Sequence, residues 1–302
     1  MLRICAPHSV RLIFWFTDCN ILEMRKRGVL PMALDCRGLL DVHIHSAYSF
    51  DGKEKVSDIA ARAEQLGLAV LCLTDHCEMN SDDLSAVEEN IIRSVGEMQK
   101  LRESCGYGSL LLAGVELGQG TQNPEEAKRF LNAVSFDYVI GSLHNLAGEE
   151  DFYFLKYTAE NALQYLERYF DELSALAEWG EFDALGHMTY PLRYMSQQLH
   201  EMPDMRLYRE KTDAILQSLV KQNKALEINT SGLRTAYGTT YPGLEYVQRF
   251  KELGGKMVTL GSDAHAIRDI GSGIKAGALI AKKSGFDQLT YFVNRTPCFV
   301  SI

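Results

Sequence analysis

Leu39-Leu-Asp-Val-His-Ile-His45 begins with apolar residues and ends on two histidines spaced by one. A short apolar, β-branched run of this kind reads as a strand. A strand has a side-chain period of two, so His43 and His45 project from the same side of its C-terminal end. Leu68 to Thr74 repeats the pattern and runs into Asp75-His76. Leu110 to Leu117 contains Gly114-Val-Glu116, Tyr138 to Leu143 leads to His144, and Phe182 to Gly186 leads to His187. Ala225 to Asn229 and Met257 to Gly261 complete seven strands, the last entering Ser262-Asp263-Ala-His265. Helical periodicity separates them over Ser57 to Gln65, Asp83 to Glu103, Ala159 to Glu178, Met205 to Gln222 and Leu244 to Leu253. Seven strands alternating with helices predict a parallel α/β architecture. No repeat, low-complexity tract or Pro/Gly/Ser-rich linker divides it, so a single domain is expected.

Six of the eight histidines stand at predicted strand ends: His43, His45, His76, His144, His187 and His265. In a parallel barrel every strand C-terminus opens onto one face, so residues more than 200 positions apart converge there. Imidazole and carboxylate are ligands suited to zinc, manganese or iron. Acids and histidines crowded together also need a cation between them to offset their mutual repulsion. Taken singly, His43-x-His45 reads as packing, Thr74-Asp-His76 as a helix cap, Glu116 as a buried ion-pair partner and His187 as a core histidine. The shared strand-end placement favours a metal site over those separate readings. His8 and His200 lie off the pattern and carry no role.

Among the 302 residues, 46% are hydrophobic and 24% charged, the composition of a globular protein. The 31 basic against 40 acidic residues leave a net charge of −9, which disfavours a broad phosphate-backbone footprint and hence nucleic-acid binding. Seven scattered cysteines without a C-x-x-C pair predict a reducing, cytoplasmic location rather than a disulfide framework. No stretch is apolar enough to predict a membrane span. Residues 1–36 read as a leader outside the fold, with Met24 and Met32 as alternative starts, and residues 37–302 as the barrel.

The ordered set Asp41-Val-His43-Ile-His45-Ser46, Ser49-Phe-Asp51-Gly52, Leu73-Thr-Asp-His76, Gly114-Val-Glu116, Gly141-Ser-Leu-His144, Gly186-His187 and Gly261-Ser-Asp-Ala-His265 resembles the polymerase and histidinol phosphatase (PHP) superfamily of metal-dependent phosphoesterases. The resemblance runs from Leu39 to the C-terminus. It implies a distorted (β/α)7 TIM-like barrel with the metal site at the C-terminal ends of the strands. It also implies three divalent transition metals (zinc, manganese or iron). One would be held by His43, His45, Glu116 and Asp263. A second would be held by Glu116, His144 and His187, with Glu116 bridging, and a third by Asp51, His76 and His265. Some relatives place histidine where this chain has Asp51. Tyr138 to His144, Glu227-Ile-Asn-Thr-Ser-Gly-Leu-Arg234 and Tyr241-Pro242 resemble the histidinol-phosphate phosphatase branch. That branch implies hydrolysis of L-histidinol phosphate to L-histidinol and phosphate, in histidine biosynthesis.

Residue chemistry points the same way. Clustered divalent cations activate water and neutralise phosphoryl oxygens, and an arginine fork adds rigid recognition of the remaining ones. Arg193 and Arg234, in the loops after the fifth and sixth strands, are the candidates, with Arg193 weaker because its loop is longer. Asp263 is a candidate proton acceptor as well as a ligand. Asn229 and Ser231 are candidates to orient substrate or water, and Asp75 is expected to orient rather than ligate. The partner is then a small phosphorylated substrate, and the oligomeric state stays open. Three other readings compete: a PHP phosphoesterase for nucleotides or phosphotyrosine, a metal-dependent amidohydrolase, and a non-catalytic PHP module. Glu116 occupies the place where an amidohydrolase would carry a modified lysine, and the full ligand set argues against the non-catalytic module.

Overall fold

A computed structural model of the chain describes residues 36–104 and 106–302. Apart from Cys36, the expected leader falls outside them, as do Cys5, Cys19, Cys105 and His8. The first part of the chain gives β1 (Leu40–Asp41), α1 (Val56–Leu66), β2 (Val70–Leu73), β3 (His76–Glu78) and α2 (Leu84–Glu103). Next come β4 (Leu110–Gly118), α3 (Pro124–Ala133), β5 (Tyr138–Ser142), α4 (Ala159–Trp179) and β6 (Ala184–Leu185). After α5 (Leu192–Gln198) and α6 (Arg209–Lys221) follow β7 (Ala225–Asn229), α7 (Leu244–Glu252), β8 (Val258–Gly261) and α8 (Ile274–Lys283). A hairpin of β9 (Gln288–Val293) and β10 (Thr296–Ser301) ends the chain.

The strands pair in parallel in the order β1-β2-β4-β5-β6-β7-β8, with β3 on β4. The amide of Val42 donates to Leu260 O at 3.0 Å, and Ile44 bridges Ala264 in parallel, so the last strand returns to the first. The fold is therefore the expected distorted (β/α)7 barrel, its second stave broken at Thr74-Asp75 into β2 and β3. Strands β2, β5, β7 and β8 are buried along their whole length, as expected of parallel strands covered on both faces. Helix ends follow local chemistry. Thr158 and Asn161 form a reciprocal capping box at the start of α4, and Gly180, at φ 65°, ends it.

Further elements differ from the sequence reading. The stretch to His45 has a ladder only at Leu40–Asp41, and residues 42–45 are held instead by single bonds to Leu260 in β8, to Asp263 and Ala264 just after it, and to Thr74. The helix expected from Met205 begins as a 3-10 turn, Met205–Tyr208, because the Asp204 carboxylate accepts from the Arg206 amide. The C-terminal hairpin was not anticipated. Its turn places Asn294 and Arg295 at φ 49° and 62°, the conformation usually signalled by Asn-Gly, and arginine hides the signal. The hairpin packs against the start of β5, where Phe292 stacks on Tyr138 at 5.4 Å and the Asn294 amide donates to Asp137.

Close approach at the end of β8 requires glycine. A Cβ on Gly261 would lie 2.3 Å from His43 Cβ and 2.6 Å from Glu227 Oε1. Gly261→Ala is therefore expected to destabilise the fold by about 1–3 kcal/mol, as overpacking does, read as a lower denaturant midpoint at unchanged slope.

Candidate metal centre

All nine predicted ligand side chains meet at the C-terminal face of the barrel. Glu116, on β4 and 1% exposed, stands at the centre with its two oxygens facing different groups. Oε1 lies 2.7 Å from His187 Nε2 and 3.2 Å from His144 Nε2, and it accepts from Ser142 Oγ at 2.7 Å. Oε2 lies 2.9 Å from His76 Nδ1, 3.3 Å from His43 Nε2 and 3.4 Å from His45 Nε2. Asp263 Oδ1 joins the second group, 3.4 Å from His45 Nε2 and 3.8 Å from His43 Nε2. On the outer side, Asp51 Oδ2 lies 3.2 Å from His265 Nε2, and Asp51 Oδ1 lies 3.6 Å from His76 Nε2. Asp51 is 43% exposed, so this third group is the open edge of the centre.

The ring nitrogens face one another rather than donors. His43 and His45 approach Nε2 to Nε2 at 3.1 Å, His144 and His187 at 3.1 Å, and His76 and His265 at 3.4 Å. Glu116 Oε2, although buried among three ring nitrogens, forms no hydrogen bond of acceptable geometry among the described residues. A buried carboxylate oxygen is normally satisfied. An orphan ringed by imidazole nitrogens fits divalent cations, and the nitrogen and oxygen donors suit transition metals.

Electrostatics agree. Burial works against charge on Glu116, but His43, His144 and His76 outweigh it and hold the carboxyl well below its usual range. Asp263 is likewise opposed by burial and held well below the usual range by His43, His45 and His265. Both stay anionic, ready for cations. His45 is pushed well below the ordinary histidine value, by burial first and then by His265 and His76, which keeps its ring neutral.

The outward ring nitrogens aim these side chains. His43 Nδ1 meets Glu227 Oε1 at 2.6 Å, His144 Nδ1 meets Glu78 Oε1 at 2.9 Å, and His45 Nδ1 meets Ser49 Oγ at 3.1 Å. Ser49 donates in turn to Asp75 at 2.7 Å. Asp75 also accepts from Ser46 Oγ, the Ser46 amide and Ser94 Oγ, so its side chain holds the loop after β1 and reaches the cluster through Ser49, while its carbonyl accepts from the Glu116 amide at 3.1 Å. Asp263 sits at φ 54°, an unusual conformation for a residue with a side chain. Its amide is held by His43 O at 2.8 Å and its carbonyl by Arg234 Nη2 at 3.2 Å.

The predicted arginines differ in placement. Arg193 Nη1 lies 3.9 Å from Asp263 Oδ2, with the guanidinium over the Tyr194 ring. Arg234 Nη2 donates to Ser262 O at 2.7 Å, and its Nε lies 3.8 Å from Asp269. Asn229 donates to Glu227 and Asp263 and accepts from Ser231 Oγ at 2.6 Å, so both residues belong to the rim. His200 is exposed. Sequence reasoning missed two carboxylates, Glu227 and Glu78. The signal for Glu227 was a charge inside the apolar run Ala225 to Asn229, and for Glu78 the period of two after His76. Among the described residues, no helix is long and apolar enough to cross a membrane.

The PHP domain model matches residues 41–231. The chain is 32% identical to a protein of Thermotoga maritima named "Probable histidinol-phosphatase", over 83% of this chain and 94% of the relative. It is 31% identical to the histidinol-phosphatase of Lactococcus lactis, over 84% of this chain and 94% of the relative. A crystal structure of histidinol phosphate phosphatase from the latter organism, complexed with zinc, L-histidinol and phosphate, superposes with a TM-score of 0.71. That match has 26% identity and covers 86% of this chain and 99% of that one.

Proposed function

Because the chain belongs to the PHP domain family, we propose that it is a metal-dependent phosphomonoesterase whose substrate is L-histidinol phosphate. The observation that carries the metal chemistry is Glu116, whose two oxygens face two separate sets of ring nitrogens. The substrate reading rests on relatives that match nearly the whole barrel. One of them was crystallised with L-histidinol and phosphate.

In this reading residues 37–302 form the catalytic barrel. His43, His45, Glu116 and Asp263 would hold one cation, Glu116, His144 and His187 a second, and Asp51, His76 and His265 a third. Zinc, manganese and iron all suit this donor set. When bound, such cations supply charge to the phosphoryl oxygens and lower the pKa of water. The protein's own groups do the rest. Glu227, Glu78 and Ser49 aim the rings through their outer nitrogens. Arg193 offers its planar fork to a phosphoryl oxygen beside Asp263. Asp263 is the proposed proton acceptor, although its neighbouring histidines, by holding its carboxyl well below the usual range, make it a weak base. Asn229, bonded to Glu227 and Asp263, keeps that carboxylate oriented.

A phosphate-release screen on metal-replete protein tests the function, using phosphomonoesters that include histidinol phosphate, a nucleotide and phosphotyrosine. Histidinol phosphate should be hydrolysed with the highest kcat/KM. Elemental analysis should give more than one transition metal per chain, and a chelator should abolish turnover until metal is restored. Hydrolysis of a cyclic amide or ester without phosphate release from any phosphoester would overturn the assignment.

A further inference from the structure

Two carboxylates assigned to no cation stand behind the ligand rings, and each touches groups that belong to two different sites. Glu227, fully buried on β7, uses Oε1 against His43 Nδ1 at 2.6 Å and Oε2 to accept from the His187 amide at 2.7 Å. Its partners thus belong to the first and second sites of the proposed ligand sets. Glu78, on β3, uses Oε1 against His144 Nδ1 at 2.9 Å and lies 3.2 Å from His76 Nδ1. Its partners belong to the second and third. Each carboxylate sits in a space that a glycine leaves open. A Cβ on Gly261 would come within 2.6 Å of Glu227 Oε1, and one on Gly118 within 2.1 Å of Glu78 Oε2. Main chain and side chain therefore agree in placing them there.

We propose that Glu227 and Glu78 are positioning residues that link the three cation sites in series, the first to the second through Glu227 and the second to the third through Glu78. The inference rests on the ligand sets proposed above. The physical basis is general. The nitrogen a ring presents to a cation is aimed by what its other nitrogen binds, and removing that partner typically lowers metal affinity 10–100-fold. When one carboxylate serves two sites, ordering it for the first cation leaves less to order for the next. Binding at one site then strengthens binding at its neighbour. Glu116 joins the first two sites as a shared ligand and also approaches His76 Nδ1 at 2.9 Å, and Glu78, at 3.2 Å from the same nitrogen, couples that ring to His144 of the second site.

Metal binding by the apoprotein separates this from a purely structural role. Chelated protein is dialysed against buffered free Zn²⁺, bound metal is counted by elemental analysis, and the melting temperature of the apo form is measured alongside. Wild type should bind three ions. At the free zinc that just saturates wild type, Glu78→Ala should hold one, having lost about a hundredfold in affinity at two sites. Glu227→Ala should also hold one. The glutamine variants keep an acceptor oxygen for the ring N–H and should recover about tenfold, with all apo melting temperatures near wild type. Loss of a single ion, or none, from both alanine variants while wild type binds three would overturn the linkage. So would equal losses in the alanine and glutamine variants accompanied by a fall in apo melting temperature. If an alanine variant does not fold, its glutamine counterpart decides: weakening at two sites supports the linkage, and wild-type uptake overturns it. Wild type that binds at most one ion would instead overturn the ligand sets themselves.

Discussion

Glu116→Gln should lower kcat/KM at least about a thousandfold, equivalent to about 4 kcal/mol of transition-state stabilisation. Glu116 is buried to 1% exposure, and each oxygen faces ring nitrogens of a different group. A glutamine cannot present an anionic oxygen on both sides. One side would receive an NH2 group turned toward nitrogens that must keep lone pairs for cations, so two sites are damaged by one substitution. Asp51→His is the control. Asp51 is 43% exposed, lies at the open edge, and among the described residues pairs with His76 and His265 of the third group. Imidazole preserves a donor for a single cation there, so the loss should be tenfold or less and metal content should stay near wild type. The check is steady-state kinetics at saturating metal with stoichiometry measured on the same samples. Comparable rates for wild type and Glu116→Gln would remove the bridging role.

The strand ends were legible in the sequence because two independent periodicities met there. His43-x-His45 and Asp263-x-His265 carry the strand period, and parallel topology sends every strand C-terminus to one face. No contact had to be known to bring positions 43 and 265 together. The structure brings His45 Nε2 to 3.4 Å and His265 Nδ1 to 3.5 Å from the same Asp263 Oδ1. Lengths were less legible. In β6, only Ala184–Leu185 form a ladder; Asp183 and Gly186 are held by single bonds to Val139 and Gly141. The apolar run from Phe182 reports burial, not pairing. The break at Thr74-Asp75 was hidden for a different reason. The Asp75 side chain is engaged with Ser46, Ser49 and Ser94, which come from other segments of the chain.

The carboxylates behind the rings illustrate a further limit. Glu227 and Glu78 act on outer nitrogens of His43 and His144, partners 184 and 66 positions away, and no local pattern encodes such pairs. A charge inside an apolar strand flags that something must satisfy it, but not what. The arginines were placed in the right loops, yet their directions were beyond sequence. Arg234 lies in the 3-10 turn after β7, where its guanidinium reaches back to the carbonyls of Ser262 and Asp263. Arg193, in the first turn of α5, reaches toward Asp263 itself.

That difference sets the expected outcome for the two arginines. Arg193→Ala should lower kcat/KM about a hundredfold or more with metal content unchanged, since a desolvated charge-assisted pair is worth about 2–5 kcal/mol. Its Nη1 stands 3.9 Å from Asp263 Oδ2, beyond hydrogen-bond length, so the fork keeps donors for a phosphoryl oxygen at the centre. Arg193→Lys should recover only part of the loss, because an ammonium keeps the charge but neither the planar fork nor the stacking on Tyr194. Arg234→Ala should behave differently. Its Nη2 donates at 2.7 Å and 3.2 Å to the carbonyls of Ser262 and Asp263, in the segment that also supplies His265. Removing it frees a backbone held at positive φ, so metal content should fall along with kcat/KM. Kinetics on both alanine variants, with metal counted on the same preparations, separate the two roles. Near-wild-type kcat/KM for Arg193→Ala would take it off the phosphate. A hundredfold loss for Arg234→Ala with full metal content would transfer phosphate binding to Arg234.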